Sequence, residues 1–374
     1  MSGKVRVLHL YRTYFPDSQG GLEEVIRQIC HNTADLGIES RVCTLSPNPE
    51  PPVLKRKEAN VYRFRRTFEI ASCGVSIDAI NGFKWLVDWA DIVHYHFPWP
   101  FADLLHFLCR VKKPTVVTYH SDIVRQKNLL KLYRPLMRAF LNRVDIIVPT
   151  SENYFKTSED LSMHAGKVEV IPIGLDEKMY PPVSEKETAS TCERLGKNFF
   201  LFVGVLRYYK GLHILLDALK GTSITCVIAG AGPIEQELKA HAGRLGLEHV
   251  RFLGHVTDAE KVAMMKLCRA VVFPSHLRSE AFGVTLVEGA MHGKPLISTE
   301  IGTGTSYINI HGETGFVVKP GNAHELREAM LRLDSDGELA VRMGESARMR
   351  YETLFTGRLM GERYARVYGR LAGG

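Results

Sequence analysis

Short apolar, β-branched runs alternate with stretches of helical spacing from one end of the chain to the other. Val5–Leu10 is an apolar run, Leu22–Leu36 carries apolar residues at helical intervals, and Ser40–Leu45 returns to a strand pattern. Asp91–Tyr95, Thr115–Tyr119, Asp145–Pro149 and Val168–Ile171 repeat the short-strand pattern, with helical stretches between most of them. A second series opens at Phe199–Val203 and continues through Ile224–Ala229, Val250–Leu253, Ala270–Phe273 and Pro295–Ser298. Strands apolar on both faces, alternating with helices, are what parallel sheets covered on each side require. The pattern predicts an α/β protein built from βαβ units.

The periodicity breaks at Ile171-Pro172-Ile173-Gly174-Leu175-Asp176, then at Pro181-Pro182 and a polar stretch to Lys197. Proline and glycine punctuation of this kind marks a linker, which places a hinge near residues 172–185. Since 374 residues is long for one core, two domains are expected, 1–175 and 176–350. A final helix from Tyr351 to Leu371 carries Tyr351, Phe355, Tyr364 and Tyr368. In doubly wound sheets the ligand crevice lies outside the carboxyl ends of the strands. The chemistry should therefore sit in the loops after strands, in a cleft between the two domains.

Composition narrows the class. With 45% apolar and 24% charged residues the chain is an ordinary globular protein, not a disordered one. No apolar run is long enough to span a bilayer, and the N-terminal stretch lacks signal-peptide architecture, so a cytoplasmic location is expected. Seven scattered cysteines without a Cys-x-x-Cys pair read as reduced thiols rather than a disulfide framework or zinc site. A net charge of +7 favours anionic partners without choosing among phosphates, membrane and nucleic acid.

Several strand ends carry candidate chemistry. Gly204-Val205-Leu206-Arg207-Tyr208-Tyr209-Lys210-Gly211 ends one strand and opens a helix, a favourable place for a diphosphate facing Arg207 and Lys210. Gly230-Ala231-Gly232-Pro233 follows the next strand, where small residues let a backbone approach a ligand. Glu280 and Glu288 are eight positions apart, roughly 12 Å along the axis if the whole stretch is helical. That separation is too large for a shared proton but suits two grips on one hydroxyl-rich ligand; two solvated acids on a helix surface would share it. His120 ends the Thr115–Tyr119 strand, with Asp122 two residues on. His94 and His96 flank Tyr95 in a spacing that could suggest a metal, yet no third ligand is apparent. His96, followed by Phe97-Pro98-Trp99, is read as part of an acceptor-binding wall with Trp99. Asp334-Ser335-Asp336 spells a metal-binding Asp-x-Asp but lies between amphipathic stretches, as a surface turn would, and no metal requirement is expected.

Glu280-(seven residues)-Glu288, with Lys210-Gly211 after a strand, resembles the signature of the retaining GT-B glycosyltransferases, family 4 in particular. The resemblance covers essentially the whole chain. It implies two Rossmann-like domains facing a central cleft, with residues 351–374 crossing back onto the first domain. It departs at one place: the family's usual loop is Gly-Arg-x-x-x-x-Lys-Gly, and Val205 stands where its arginine falls. By resemblance, Glu280 faces the transferred sugar and Glu288 accepts from the ribose hydroxyls. The backbone at Phe282, Gly283, Val284 and Thr285 approaches sugar and phosphate, and Gly204, Gly232 and His255 line the donor near phosphate and base. Gly20 and Gly21 pass under a phosphate, His120 donates to a sugar hydroxyl, and Asp122 belongs to the acceptor side.

The implied reaction is hexosyl transfer with retention, in which Lys210 and Arg207 stabilise the departing diphosphate. No cofactor is implied; the donor is a sugar nucleotide, GDP-sugar rather than UDP-sugar. Leu206–Gly211 looks like bacterial mannosyl- and rhamnosyltransferases of O-antigen assembly. That points to GDP-mannose or GDP-rhamnose as donor and an undecaprenyl-diphosphate-linked saccharide as acceptor. Residues 124–143 carry six cations and no acid on an apolar helical pattern interrupted by Pro135. The stretch is read either as a peripheral membrane contact or as a helix packed on the sheet with its basic side in water. Two other classes compete. One is a non-catalytic sugar-nucleotide-binding protein. The other is an NAD-dependent two-domain oxidoreductase, disfavoured because neither half has a complete Gly-x-Gly-x-x-Gly fingerprint. A nucleic-acid binder is disfavoured by the lack of stacking aromatics in the basic stretch.

Overall fold

The computed structural model describes residues 4–70, 73–123 and 127–373, with side chains from 130 onward in the last segment. The chain divides into two compact units, Met1–Leu175 with Gly357–Gly374, and Asp176–Thr356.

In the first unit β1 (Val5–Leu10), β2 (Ile38–Ser46), β3 (Val53–Lys55), β4 (Asn60–Arg65), β5 (Phe68–Ile70), β6 (Cys73–Val75), β7 (Ile92–Phe97), β8 (Thr115–Tyr119) and β9 (Ile146–Pro149) follow in chain order. Seven of them form one sheet in the order β3-β4-β2-β1-β7-β8-β9, while β5 and β6 make a separate hairpin. Only β3 runs antiparallel, to β4 at the sheet edge. The helices α1 (Gly21–Ala34), α2 (Asp78–Trp89), α3 (Pro100–Leu108), α4 (Lys127–Arg143), α5 (Glu152–Thr157) and α6 (Glu159–Ser162) are interleaved with these strands. The apolar residues of β7, β8 and β1 are almost fully buried, as the continuous hydrophobic runs require. Val168–Ile171, expected as a strand, contributes only an isolated bridge from Val168 to Ile147.

The second unit holds β10 (Phe200–Val203), β11 (Cys226–Ala229), β12 (Val250–Gly254), β13 (Ala270–Phe273), β14 (Leu296–Thr299) and β15 (Gly315–Val318). They form an all-parallel sheet in the order β12-β11-β10-β13-β14-β15. Strand order reverses beside β10, so the loops after β10 and β13 open at a topological switch point, the usual crevice of such sheets. Its helices are α7 (Glu185–Leu195), α8 (Leu212–Leu219), α9 (Glu235–Arg244), α10 (Asp258–Leu267), α11 (Val284–Met291), α12 (Thr305–Ile308), α13 (Ala323–Ser335) and α14 (Gly337–Leu354). Ser184 and Thr257 start α7 and α10 with capping boxes closed by Glu187 and Glu260.

The C-terminal segment corrects one expectation. Tyr351–Leu371 is not one helix: α14 ends at Leu354 and α15 (Gly357–Ala372) begins after a break. Phe355 leaves the helical conformation at φ −122° and ψ 19°, and Tyr351 and Phe355 stay in the second unit. The division falls after Thr356 rather than after residue 350. The ring of Phe355 packs edge-on against Phe282 and Tyr307. Tyr364 and Tyr368, by contrast, are buried in the first unit, where their hydroxyls meet Thr118 at 2.8 Å and His94 at 2.7 Å.

Helix α15 lies against α1 at two glycines one turn apart. A Cβ on Gly361 would come 2.3 Å from the Asn32 carbonyl oxygen, and one on Gly357 would meet the Asn32 amide at 2.6 Å. Small residues at helix spacing therefore set the distance between these helices. Gly361→Leu should destabilise the protein by about 3 kcal/mol through overpacking, seen as a lowered urea midpoint. An unchanged midpoint would show that the two helices do not depend on this close approach.

Candidate active site

The second unit gathers most of the predicted donor residues. After β10 the chain turns through Gly204 and the exposed Val205 into a short 3-10 turn, Tyr208–Lys210, and Gly211 in the left-handed region starts α8. After β13 it runs through Ser275 and Glu280 to Gly283, which caps α11 at φ +101°, a conformation that L side chains rarely adopt. The first N–H groups of α11, at Val284 and Thr285, have no intrahelical partner by geometry and lie at the positive end of the helix dipole. Gly232 is held against the β10 loop so closely that a Cβ would sit 2.3 Å from the Leu206 carbonyl oxygen.

Two ion pairs define this region. The Lys210 ammonium donates to a Glu280 carboxylate oxygen, and Ser275 Oγ lies 3.4 Å from the same oxygen. Lys210 also stands 4.5 Å over the Phe273 ring. Both side chains of this pair are largely withdrawn from water. Glu288 accepts from Lys261 Nζ at 2.7 Å and from the Tyr180 hydroxyl at 3.0 Å. Burial pulls the Lys261 pKa down, but Glu288 and Asp258 outweigh it and hold the ammonium above its usual range. Thr285 Oγ1 donates to the Val203 carbonyl at 3.2 Å, tying α11 to the end of β10.

The axial separation reckoned for an unbroken helix does not apply to the glutamate pair. Glu280 lies in the loop before α11 and only Glu288 is helical, so the two acids are not two turns apart on one helix. Phe282 is buried against Phe355, so its contribution to a ligand is limited to backbone. Arg207 and His255 are exposed, and the Arg207 guanidinium makes no hydrogen bond or ion pair among the described residues. Lys261 and Tyr180 are the residues that sequence reading missed; they stand 27 and 108 positions from Glu288, and no spacing announces them.

In the first unit the row of strand ends is built from histidines. His9 on β1, His96 on β7 and His120 just after β8 come from three strands adjacent in the sheet. His9 Nδ1 lies 3.2 Å from His96 Nε2, and His96 Nδ1 lies 3.1 Å from His120 Nε2. His94 faces the same cluster, its two nitrogens bonded to the hydroxyls of Tyr368 and Thr118, each at 2.7 Å. The third imidazole that the His94–His96 spacing lacked is thus His9, whose ligand atom lies within 4.8 Å of the others. A cation there would have to break hydrogen bonds that already engage both nitrogens of His94 and of His96.

Three acceptor-side expectations need correction. Trp99 is buried, and its indole N–H donates to the Gly74 carbonyl at 3.0 Å, so it is a core residue rather than an exposed wall. His96 is buried with its Nδ1 3.1 Å from His120 Nε2, so it too is a buried residue rather than an exposed wall. Asp122 accepts from the Tyr119 hydroxyl at 2.9 Å and from Ser158 Oγ at 2.7 Å, which makes it a brace for its loop. Gly20 is the N-cap of α1, and the Glu23 carboxylate folds over it, accepting from Thr13 at 2.8 Å and Ser18 at 2.7 Å. Gly21 is exposed at the first turn of that helix.

Asp334 and Ser335 end α13 and Asp336 caps α14 by accepting from Leu339 N at 2.8 Å, so the Asp-x-Asp serves helix ends. In the basic stretch, residues 124–126 lie outside the described residues. Met137, Phe140 and Leu141 of α4 are buried in the core, while Leu132 is 82% exposed and Lys131 and Arg138 face water. Part of the helix's apolar side thus packs on the protein, while Lys131, Leu132 and Arg138 stay accessible.

Burial lowers the pKa of His9 and of His120 to about 3, and holds His94 and His96 well below 6.5 with help from neighbouring imidazoles. Because these folded values are depressed, the unfolded chain binds more protons once the pH falls below about 6.5. Stability should fall by about 1.4 kcal/mol per pH unit for each such histidine from there downward. Urea titrations at pH 7, 6 and 5 check this, and equal midpoints at all three would refute the neutral buried cluster.

Comparison with known proteins shows the family. Residues 19–178 match the family model described as Glycosyltransferase Family 4, and residues 183–350 match that described as Glycosyl transferases group 1. The chain is 55% identical to D-rhamnosyltransferase WbpZ of Pseudomonas aeruginosa over 352 residues, 94% of this chain and 92% of that protein. It is 48% identical to O-antigen chain mannosyltransferase C of Escherichia coli over 364 residues, covering 97% and 98% of the two. Among solved structures, sucrose-phosphate synthase from Thermosynechococcus elongatus aligns with a TM-score of 0.81 at 19% identity, covering 99% of this chain and 100% of that one. Anabaena Alr3699/HepE in complex with UDP and glucose aligns at 0.79 and 20% identity, covering 97% and 99%. Parallel sheets that open at β10 and β13, the Lys210–Glu280 loop pair, and likeness along nearly the full length converge: the chain is a glycosyltransferase of the GT-B fold and belongs to family 4.

Proposed function

We propose that this enzyme transfers a mannosyl or D-rhamnosyl group from its GDP-sugar to a lipid-linked saccharide during assembly of a bacterial O-antigen. The observation that carries the reading is the Lys210–Glu280 pair, set between the start of α8 and the start of α11 in a chain 55% and 48% identical to a D-rhamnosyl- and a mannosyltransferase. The site residues take separable roles. The diphosphate draws the Lys210 ammonium and the free N–H groups at Val284 and Thr285, and Arg207 reaches it from the exposed side of the β10 loop. As Lys210 turns to phosphate, Glu280 is released to accept from hydroxyls of the sugar. Glu288, already oriented by Lys261 and Tyr180, accepts from the ribose, and His255 and Gly232 border the base and phosphate. In the first unit His120 is the group that meets a sugar hydroxyl.

The reaction proceeds with retention and without a metal. The bond between the anomeric carbon and the diphosphate oxygen breaks, the electron pair leaves with the diphosphate, and the acceptor hydroxyl attacks from the same face. Its proton passes to the departing diphosphate oxygen. Preorganised cations stabilise the charge developing on that oxygen. The enzyme works at the cytoplasmic face of the membrane, where its lipid-linked acceptor is presented, with Lys131, Leu132 and Arg138 of α4 as the contact.

Purified enzyme offered GDP-mannose, GDP-D-rhamnose and UDP-glucose with a diphospho-lipid-linked saccharide should release GDP and yield an α-linked product by NMR. Release of UDP alone, or a product of inverted anomeric configuration, would overturn the assignment. Lys210→Met should lower kcat by about a hundredfold or more, as loss of one preorganised charge stabiliser does, and excess EDTA should leave the wild-type rate unchanged.

A further inference from the structure

Behind His120 the sheet holds a row of imidazoles that the transfer reaction does not account for. His9, His96 and His120 stand on adjacent strands with rings nearly parallel, inclined 24° and 20° at centroid separations of 5.5 and 5.4 Å. Their nitrogens meet in sequence, His9 Nδ1 with His96 Nε2 and His96 Nδ1 with His120 Nε2. The rings packed against the row are His94, at 4.4 Å from His96 and 4.9 Å from His9, and Tyr11 at 6.4 Å from His96. His94 is turned away, both its nitrogens bonded to hydroxyls. No carboxylate bonds the row among the described residues, and all three imidazoles are buried.

Neutral imidazoles carry one proton each, and each nitrogen–nitrogen contact can hold only one. The row therefore has two proton arrangements. In one, His9 Nδ1–H donates to His96, His96 Nδ1–H donates to His120, and His120 presents Nδ1–H beyond the row. In the other every proton is shifted, His120 presents a bare Nδ1, and His9 carries its proton on Nε2. His9 Nε2 is fully buried without a hydrogen-bond partner among the described residues. An orphaned buried N–H is rarer than an orphaned acceptor, which favours the first arrangement. The blind end at His9 also argues against proton export: a proton taken up at His120 could travel no further than a buried nitrogen without an acceptor.

We propose that His9 and His96 are positioning residues that lock His120 as its Nδ1–H tautomer, so that His120 meets the substrate hydroxyl as a hydrogen-bond donor and not as a base. This rests on the role given to His120 in sugar binding above. The lock explains why two imidazoles, His9 and His96, occupy strand positions that apolar residues would fill at no electrostatic cost.

The test is nitrogen NMR of full-length enzyme labelled with ¹⁵N-histidine, read beside the transfer kinetics. Wild-type His120 should show a protonated Nδ1 and a bare Nε2. His96→Leu and His9→Leu should move His120 toward a mixture of tautomers and lower kcat for transfer by about tenfold, the rate equivalent of one ordinary hydrogen bond. His96→Asn, whose amide N–H can stand in for Nδ1–H, should restore both. The wild-type spectrum needs no variant to fold: His120 protonated at Nε2 overturns the proposal. So does an Nδ1–H tautomer that survives both leucine substitutions. A tautomer that shifts while transfer stays at the wild-type rate would uphold the lock and remove His120 from sugar binding.

Discussion

A parallel strand covered on both faces leaves its polar groups one exit, the loop after its carboxyl end. In each unit the sheet interior is apolar, with strands bonded to their neighbours along their length. A charged side chain in mid-strand loses its hydration unless a partner is in reach, as Asp17 is for Arg63 of β4; β7–β11 and β13–β15 carry no Asp, Glu, Lys or Arg, and the charges of the site sit in the loops that follow them. Gly204 to Lys210 after β10, Ser275 to Gly283 after β13 and His120 after β8 all obey this constraint. The same constraint explains the order of the donor loops. The switch point beside β10 lets the loops after β10 and β13 lie side by side, so Lys210 can reach Glu280 across 70 residues of sequence.

The two carboxylates of the site are held before any ligand arrives, each by a lysine. Lys210 holds Glu280, while Lys261 and Tyr180 hold Glu288. Each lysine engages one oxygen of its carboxylate and leaves the other for a ligand. The pairing also makes Lys210 a shared group, able to exchange a carboxylate for a phosphate without leaving its loop.

The histidines of the first unit are the exception that tests the rule. His9, His94 and His96 lie within strands and are buried, and they are tolerated because each is neutral and bonded to another imidazole or to a hydroxyl. Part of that support comes from α15, far along the chain: Tyr368 bonds His94 and Tyr364 bonds Thr118. The terminal helix thus completes the polar network of the first unit, while Gly357 and Gly361 set how near it can come to α1.

Much of this was legible from residue order alone, because strand and helix periods and strand-end motifs are local properties. The alternation of short apolar runs with helical stretches determined the α/β class, the two units and the loops where chemistry would lie. The order of residues placed Lys210, Glu280 and His120 in loops after strands and Glu288 in the helix beyond. What could not be read was every contact between distant elements, since nothing local encodes it. Only the tertiary structure set Lys261 and Tyr180 on Glu288 and brought His9 to His96. It also took Trp99 into the core and turned Asp122 into a brace. The glutamate spacing shows the division most clearly: eight residues set how far apart the two acids are along the chain, but Gly283 at φ +101° starts α11 between them and so decides their separation in space. Sequence determined which groups stand in the loops after strands; packing decided which of them face one another, because burial and hydrogen bonding act between strands that the chain order keeps apart.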